Sequence, residues 1–138
     1  MIRRMQGLHL TADLHGCDPK RAEMIDTAAL RRLCMAGVRA SELAPVGELF
    51  HRFEAAAAAG ATQPPGITGV VLLAESHLAV HTWPELGAVT LDVYVCNFGA
   101  DNSARARALL DVLVAAFAPA HVERHELARG ARTPVAPA

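Results

Sequence analysis

Eleven consecutive positions, Glu75-Ser-His-Leu-Ala-Val-His-Thr-Trp-Pro-Glu85, hold two carboxylates, a serine, two histidines and a tryptophan. They follow Gly66-Ile-Thr-Gly-Val-Val-Leu-Leu-Ala74, a run apolar on both faces, as a central strand should be. Polar clusters where a strand leaves the core are common and often carry no chemistry. Three chemistries compete with that bland reading. His77 and His81 could share a metal, but their spacing suits a helix, and in a stretch of strand character the two rings sit too far apart for one zinc. Ser76 could be a nucleophile activated by a histidine, yet the flanking glycines of a nucleophile elbow are missing. Alternatively, the Ser76 hydroxyl could attack the carbonyl that precedes it, giving an ester that eliminates and leaves a pyruvoyl-capped fragment. That route needs a strained turn and groups that polarise the carbonyl or move a proton, and Thr68 and His81 are of the right type. Residue types alone do not choose among the three.

The surrounding pattern predicts the elements that hold these residues. Leu8 to His15 alternates, with Leu8, Leu10, Ala12 and Leu14 opposing His9, Thr11, Asp13 and His15, which reads as a strand with one greasy face. Asp18-Pro19 reads as a helix start, with Ile25, Ala29, Leu33 and Ala36 buried and a stop at Gly37. A second strand is expected over about 41–53, then a surface loop from Glu54 to Pro65. Ala88 to Cys96 alternates again, placing Asp92, Tyr94 and Cys96 on one face. After a turn and cap at 99–103, a helix buries Leu109, Leu110, Leu113, Ala116 and Phe117 and ends at Pro119. His121 to Leu127 reads as a last strand and 129–138 as a disordered tail. The order β-α-β-β-β-α-β predicts an α/β chain of the α+β type. It is a two-layer sandwich in which a mainly antiparallel sheet carries two helices on one face. The other face, with His9, Asp13, Tyr94 and Cys96, then needs water, a ligand or a second subunit.

A length of 138 residues suits one domain, over 1–128. With 13 basic and 14 acidic residues the formal charge is -1, which gives no reason to expect a nucleic-acid or anionic-membrane partner. Three cysteines without a CxxC pair, and a basic start with no apolar run behind it, point to a reducing cytoplasm. Taken singly, Cys96 would more often be a buried structural thiol and Trp83 a packing residue; Cys17 and Cys34 are read as structural.

Gly66 to Glu85, with His9-Leu-Thr-Ala-Asp-Leu-His-Gly-Cys17 before it and Asp92-Val-Tyr-Val-Cys96 after it, resembles the bacterial and archaeal S-adenosylmethionine decarboxylase proenzymes. The resemblance runs from about Gly7 to Leu127. It implies self-cleavage between Glu75 and Ser76 into a β chain, 1–75, and an α chain, 76–138, headed by a pyruvoyl group made from Ser76, with no metal. Thr68 matches a position, usually serine, that assists processing, and its extra methyl implies slower cutting. His81 matches the processing proton acceptor and Cys96 the catalytic proton donor. Glu85 matches a residue that holds the substrate, and Phe53 and Trp83 would flank its adenine. The pyruvoyl carbonyl would form a Schiff base with S-adenosylmethionine and withdraw electrons as CO2 leaves. The product would feed aminopropyl transfer in spermidine synthesis. The family precedent implies a cytoplasmic homodimer with active sites at the interface. Strand parity sets Ser76 opposite to His81, so a bend is expected between them. Two segments are longer than is usual in the family, 54–65 and 97–102. They keep open a pyruvoyl-dependent arginine or ornithine decarboxylase, and an uncleaved regulatory paralogue is the rival of another class.

Overall fold

The protein is described by a computed structural model covering residues 6–54, 64–97 and 99–130. The order is β1 (Gln6–His15), α1 (Ala22–Ile25), α2 (Thr27–Ala40), β2 (Pro45–Arg52), β3 (Ile67–Leu73), β4 (Ser76–Trp83), a 3-10 turn (Pro84–Leu86), β5 (Ala88–Cys96), α3 (Ser103–Phe117) and β6 (His121–Gly130). The six strands form one sheet, β2-β3-β4-β5-β1-β6, in which every pairing is antiparallel. Leu8, Leu10, Ala12 and Leu14 of β1 and Val89, Leu91, Val93 and Val95 of β5 pack with Leu30, Cys34, Val38, Leu109, Leu110, Leu113 and Phe117 of the helices. The α+β sandwich expected from the alternation is therefore present, with the core between sheet and helices and the second sheet face open.

Several elements differ from the sequence reading. The helix expected from Asp18 is two helices. Asp18 Oδ1 instead accepts from the Lys20 N–H in a turn, and Asp26 Oδ1 caps α2 by accepting from the Ala28 N–H. That restart rotates the buried stripe to Leu30, Cys34 and Val38, leaving Ala36 exposed and Leu33 half-buried. Nor does α2 stop at Gly37. A Cβ there would lie 3.1 Å from Leu109 Cδ1, so the missing side chain lets α2 approach α3 rather than ending the helix. The stretch after Ser76 is a full strand, β4, hairpinned to β3, which raises the sheet to six strands. On the open face β3 leaves Val70 half-buried and Leu72 exposed, so its apolar second face lacks cover in the single chain. Finally, β6 continues through Arg129 and Gly130, paired with Gly7 and Gln6. Most of the predicted loop, 55–63, and the tail beyond 130 lie outside the described residues.

Candidate active site

Open-face side chains line up in rows across the ladders. One row is His51, Thr68, His81, Thr90 and Asp13; another is Leu72, His77, Tyr94, His9 and Leu127. These rows belong to opposite ends of β3 and β4, and the predicted site residues divide between the two ends.

The first end is the β3–β4 hairpin. Leu73 pairs with Ser76, so only Ala74 and Glu75 make the turn. Glu75 sits in the left-handed region, φ 53, a conformation that costs a residue with a Cβ ~1–2 kcal/mol. The strained residue thus contributes the carbonyl that precedes Ser76. The Ser76 hydroxyl oxygen accepts the Cys96 N–H at 3.0 Å, which joins the start of β4 to the end of β5. Cys96 is buried and faces the open side, opposite Gly7. Beyond Cys96, Asn102 Nδ2 donates to the Cys96 carbonyl at 3.0 Å and the Asn97 N–H donates to the Gln6 carbonyl at 2.7 Å.

Beside this end lies a cluster that the sequence reading resolved only in part. Tyr94 stacks on His77 with centroids 5.7 Å apart and meets His9 edge-on at 6.2 Å. The Arg129 guanidinium lies 5.8 Å over the Tyr94 ring and 3.4 Å from His9 Nδ1. Arginine can only donate, so Nδ1 accepts and His9 Nε2–H donates to Asp92 Oδ1 at 3.1 Å. Burial above all, and then the proximity of His9, hold His77 below its ordinary pKa, with Asp92 opposing. Alternation identified His9 and Tyr94. Arg129 was missed because the last strand was ended three residues early, at Leu127 rather than Gly130.

The second end holds the other predicted residues. Thr68 and His81 are directly paired, with Thr68 Oγ1 3.0 Å from His81 Nδ1. His81 stacks on Trp83 at 5.7 Å. Phe53, half exposed, meets His51 edge-on at 4.9 Å, and its N–H donates to the Gly66 carbonyl. Glu85 is exposed in the 3-10 turn after Trp83. Gly66 is needed here, because a Cβ would come within 2.0 Å of the Thr82 carbonyl oxygen.

The bend expected between Ser76 and His81 is absent. The ladder runs without a break from Leu73–Ser76 to Thr68–His81 and holds β4 extended, so five residues at about 3.3 Å each separate the two by ~17 Å. Ser76 and Cys96 come together; Thr68, His81, Trp83, Phe53 and Glu85 gather at the far end. Among the described residues no three His, Cys, Asp or Glu side chains converge to hold a metal, and no helix is long and apolar enough to cross a membrane.

A serine held beside a cysteine, behind a strained residue on a helix-backed antiparallel sheet, is a geometry that suits backbone self-processing. Residues 8–130 match the family model described as S-adenosylmethionine decarboxylase. Two relatives called S-adenosylmethionine decarboxylase proenzyme are similar over most of the chain. That of Hydrogenobaculum sp. is 36% identical over 90% of this chain and 81% of its own length; that of Aquifex aeolicus is 34% identical over the same shares. A crystal structure of the adenosylmethionine decarboxylase from Aquifex aeolicus superposes with a TM-score of 0.78 at 30% identity, covering 98% of this chain and 99% of that one. The chain belongs to the S-adenosylmethionine decarboxylase family.

Proposed function

We propose that this chain cuts itself between Glu75 and Ser76 and then decarboxylates S-adenosylmethionine, with Cys96 as proton donor. The observation that carries the reading is Ser76 itself, placed behind the left-handed Glu75 with its hydroxyl oxygen on the Cys96 N–H. In the cleavage, Ser76 Oγ adds to the Glu75 carbonyl carbon and the peptide C–N bond breaks. An ester and a free amine result. A base then removes the Ser76 Cα proton, Glu75 departs as a carboxylate, and water displaces ammonia from what remains of residue 76, leaving a pyruvoyl end. The Cys96 N–H fixes the attacking oxygen while leaving its proton free for a base. Release of the strained Glu75 conformation favours the forward step.

The residues present fit a pyruvoyl group at position 76, because the thiol that must return a proton belongs to the residue whose N–H already holds the serine. Such a group supplies an electron sink for the departing carboxylate. Cys96 then protonates the substrate carbon that lost CO2. The Trp83 and Phe53 rings and the Glu85 carboxylate suit a cationic sulfonium and a flat base.

His81 is too far along β4 to serve its own Ser76, since proton transfer needs contact within about 3 Å, and Thr68, Trp83, Phe53 and Glu85 share its end of the sheet. A two-fold pairing of open faces meets this requirement. It sets the Thr68–His81 end of one copy beside the Cys96 end of the other, as an isologous interface does, and Ser76, of opposite parity to His81, is then reached at the β3–β4 hairpin end of the sheet. The exposed Leu49, Leu72 and Leu127 lie on that face and the exposed Phe53 meets His51 at its edge, and such a patch favours a covering partner. The proposed enzyme is therefore a homodimer with two composite sites, supplying decarboxylated S-adenosylmethionine to spermidine synthesis in the cytoplasm.

CO2 release from S-adenosylmethionine, arginine and ornithine by the cleaved protein tests the substrate. Turnover confined to S-adenosylmethionine is expected. Turnover of either amino acid in its place would reassign the pocket.

A further inference from the structure

We propose that Asn97 and Asn102 form a clasp that positions Cys96, making both residues positioning elements of the reaction; this rests on the assignment of Cys96 as proton donor. Both peptide groups of Cys96 are held. Its N–H lies on Ser76 Oγ at 3.0 Å, and its carbonyl accepts from Asn102 Nδ2 at 3.0 Å. Asn97 Oδ1 in turn accepts the Asn102 N–H at 2.8 Å, and Asn97 Nδ2 donates to Ser103 Oγ at 3.0 Å. Arg105 closes the unit by donating to Asn102 Oδ1 at 2.9 Å. The Asn97 N–H anchors the whole to β1 through the Gln6 carbonyl.

The position of Asn102 argues that this is more than loop closure. Asn102 is the residue that caps α3, yet its side chain makes no capping bond to the helix. Asparagine is among the strongest N-caps because its side-chain oxygen usually accepts a first-turn N–H. Here that contribution is forgone and the amide turns back to β5, where its donor nitrogen meets the carbonyl of the catalytic cysteine. Asp101 Oδ1 takes the Ser103 N–H at the start of α3 instead, and for an ordinary β5–α3 connection the exchange gains no precision at Cys96 that it needs. A site that must keep a thiol in register with residue 76 does, since misplacement by even an ångström slows a proton transfer severely.

Asn102→Asp separates the two roles. The carboxylate has the same shape, can accept from Arg105 and suits a helix N-terminus, so a merely structural role predicts unchanged chemistry in the folded variant, whatever its melting temperature. The clasp predicts otherwise, because a carboxylate cannot donate to the Cys96 carbonyl. Losing that bond is expected to lower kcat about tenfold with KM within about twofold. Self-cleavage should also slow, and alkylation of the Cys96 peptide by iodoacetamide, read by mass, should accelerate. Asn97→Ala, which removes the other half of the clasp, should show the same kcat loss and faster labelling, and it decides the matter if the Asn102 variant does not fold. Wild-type kcat, cleavage and labelling in a folded variant of either residue would overturn the clasp. Failure of the wild-type chain to cut would sink the underlying assignment instead, so the two failures are distinguishable.

Discussion

Mixing two inactive chains should restore cutting. In the structure His81 is held ~17 Å along β4 from Ser76 by an unbroken ladder, so a histidine that assists cleavage must come from a second copy. Ser76→Ala cannot be cut but keeps its Thr68–His81 pair. His81→Ala keeps a cleavable Ser76 but lacks the base. Alone, His81→Ala should cut some 10²–10⁴-fold more slowly than wild type, the usual worth of a positioned acid or base. Co-expressed at equal levels with random pairing, about half of the His81→Ala chains sit beside a Ser76→Ala partner in a two-fold dimer. Those chains should cut at close to the wild-type rate. Differently tagged chains resolved by denaturing mass spectrometry give the cut fraction of each directly. A fast phase approaching half of the His81→Ala chains is expected. If His81→Ala remains uncut in the mixture while both chains are shown to associate, the composite site is wrong and His81 either acts within its own chain or plays no part.

Other outcomes follow from the same geometry. Thr68→Val keeps the shape but removes the hydroxyl 3.0 Å from His81 Nδ1; cleavage followed on gels should slow by about tenfold or more, whereas Thr68→Ser should cut at least as fast as wild type. Glu75→Gly relieves the left-handed strain, φ 53, worth ~1–2 kcal/mol, and should slow cleavage severalfold without destabilising the uncut chain in thermal melts. Thr82 is buried, accepting from the Ile67 N–H and donating to the Met24 carbonyl; Thr82→Val orphans both partners and should cost about 2–4 kcal/mol in urea unfolding. Burial, followed by the Glu48 charge, pushes the Cys34 thiol from 9.0 up to about 12. The unfolded chain releases that proton first, so the stability it confers is complete below pH 9 and declines between pH 9 and 12. Cys34→Ala should flatten that alkaline decline in pH-dependent unfolding.

Strand pattern made the fold legible. The alternation in β1 and β5 has period two and one face is buried, so Leu8 to Leu14 and Val89 to Val95 lie inward as read. The helical phase was less legible because Asp26, a polar residue within an otherwise helical run, restarts α2, and a cap of that kind has no periodic signature. Gly37 misled for the opposite reason, since its role is close approach and not termination. In the site, Thr68 and His81 meet as a ladder pair, and so do His77 and Tyr94, contacts that need a register no single strand supplies. That Ser76 and His81 face opposite sides of β4 was legible as parity, but their ~17 Å separation along it needed the unbroken ladder. What was not legible was its resolution, because a bend and a second copy leave the same local sequence.

The most direct measurement is the intact mass of the wild-type protein under denaturing conditions, beside Ser76→Ala. Two wild-type fragments that divide at Glu75/Ser76, the second with a blocked, ketone-reactive end, are expected, with the Ser76→Ala chain remaining whole. A single uncut wild-type chain after long incubation, with dimer present, would contradict self-processing and favour a regulatory relative that never becomes an enzyme.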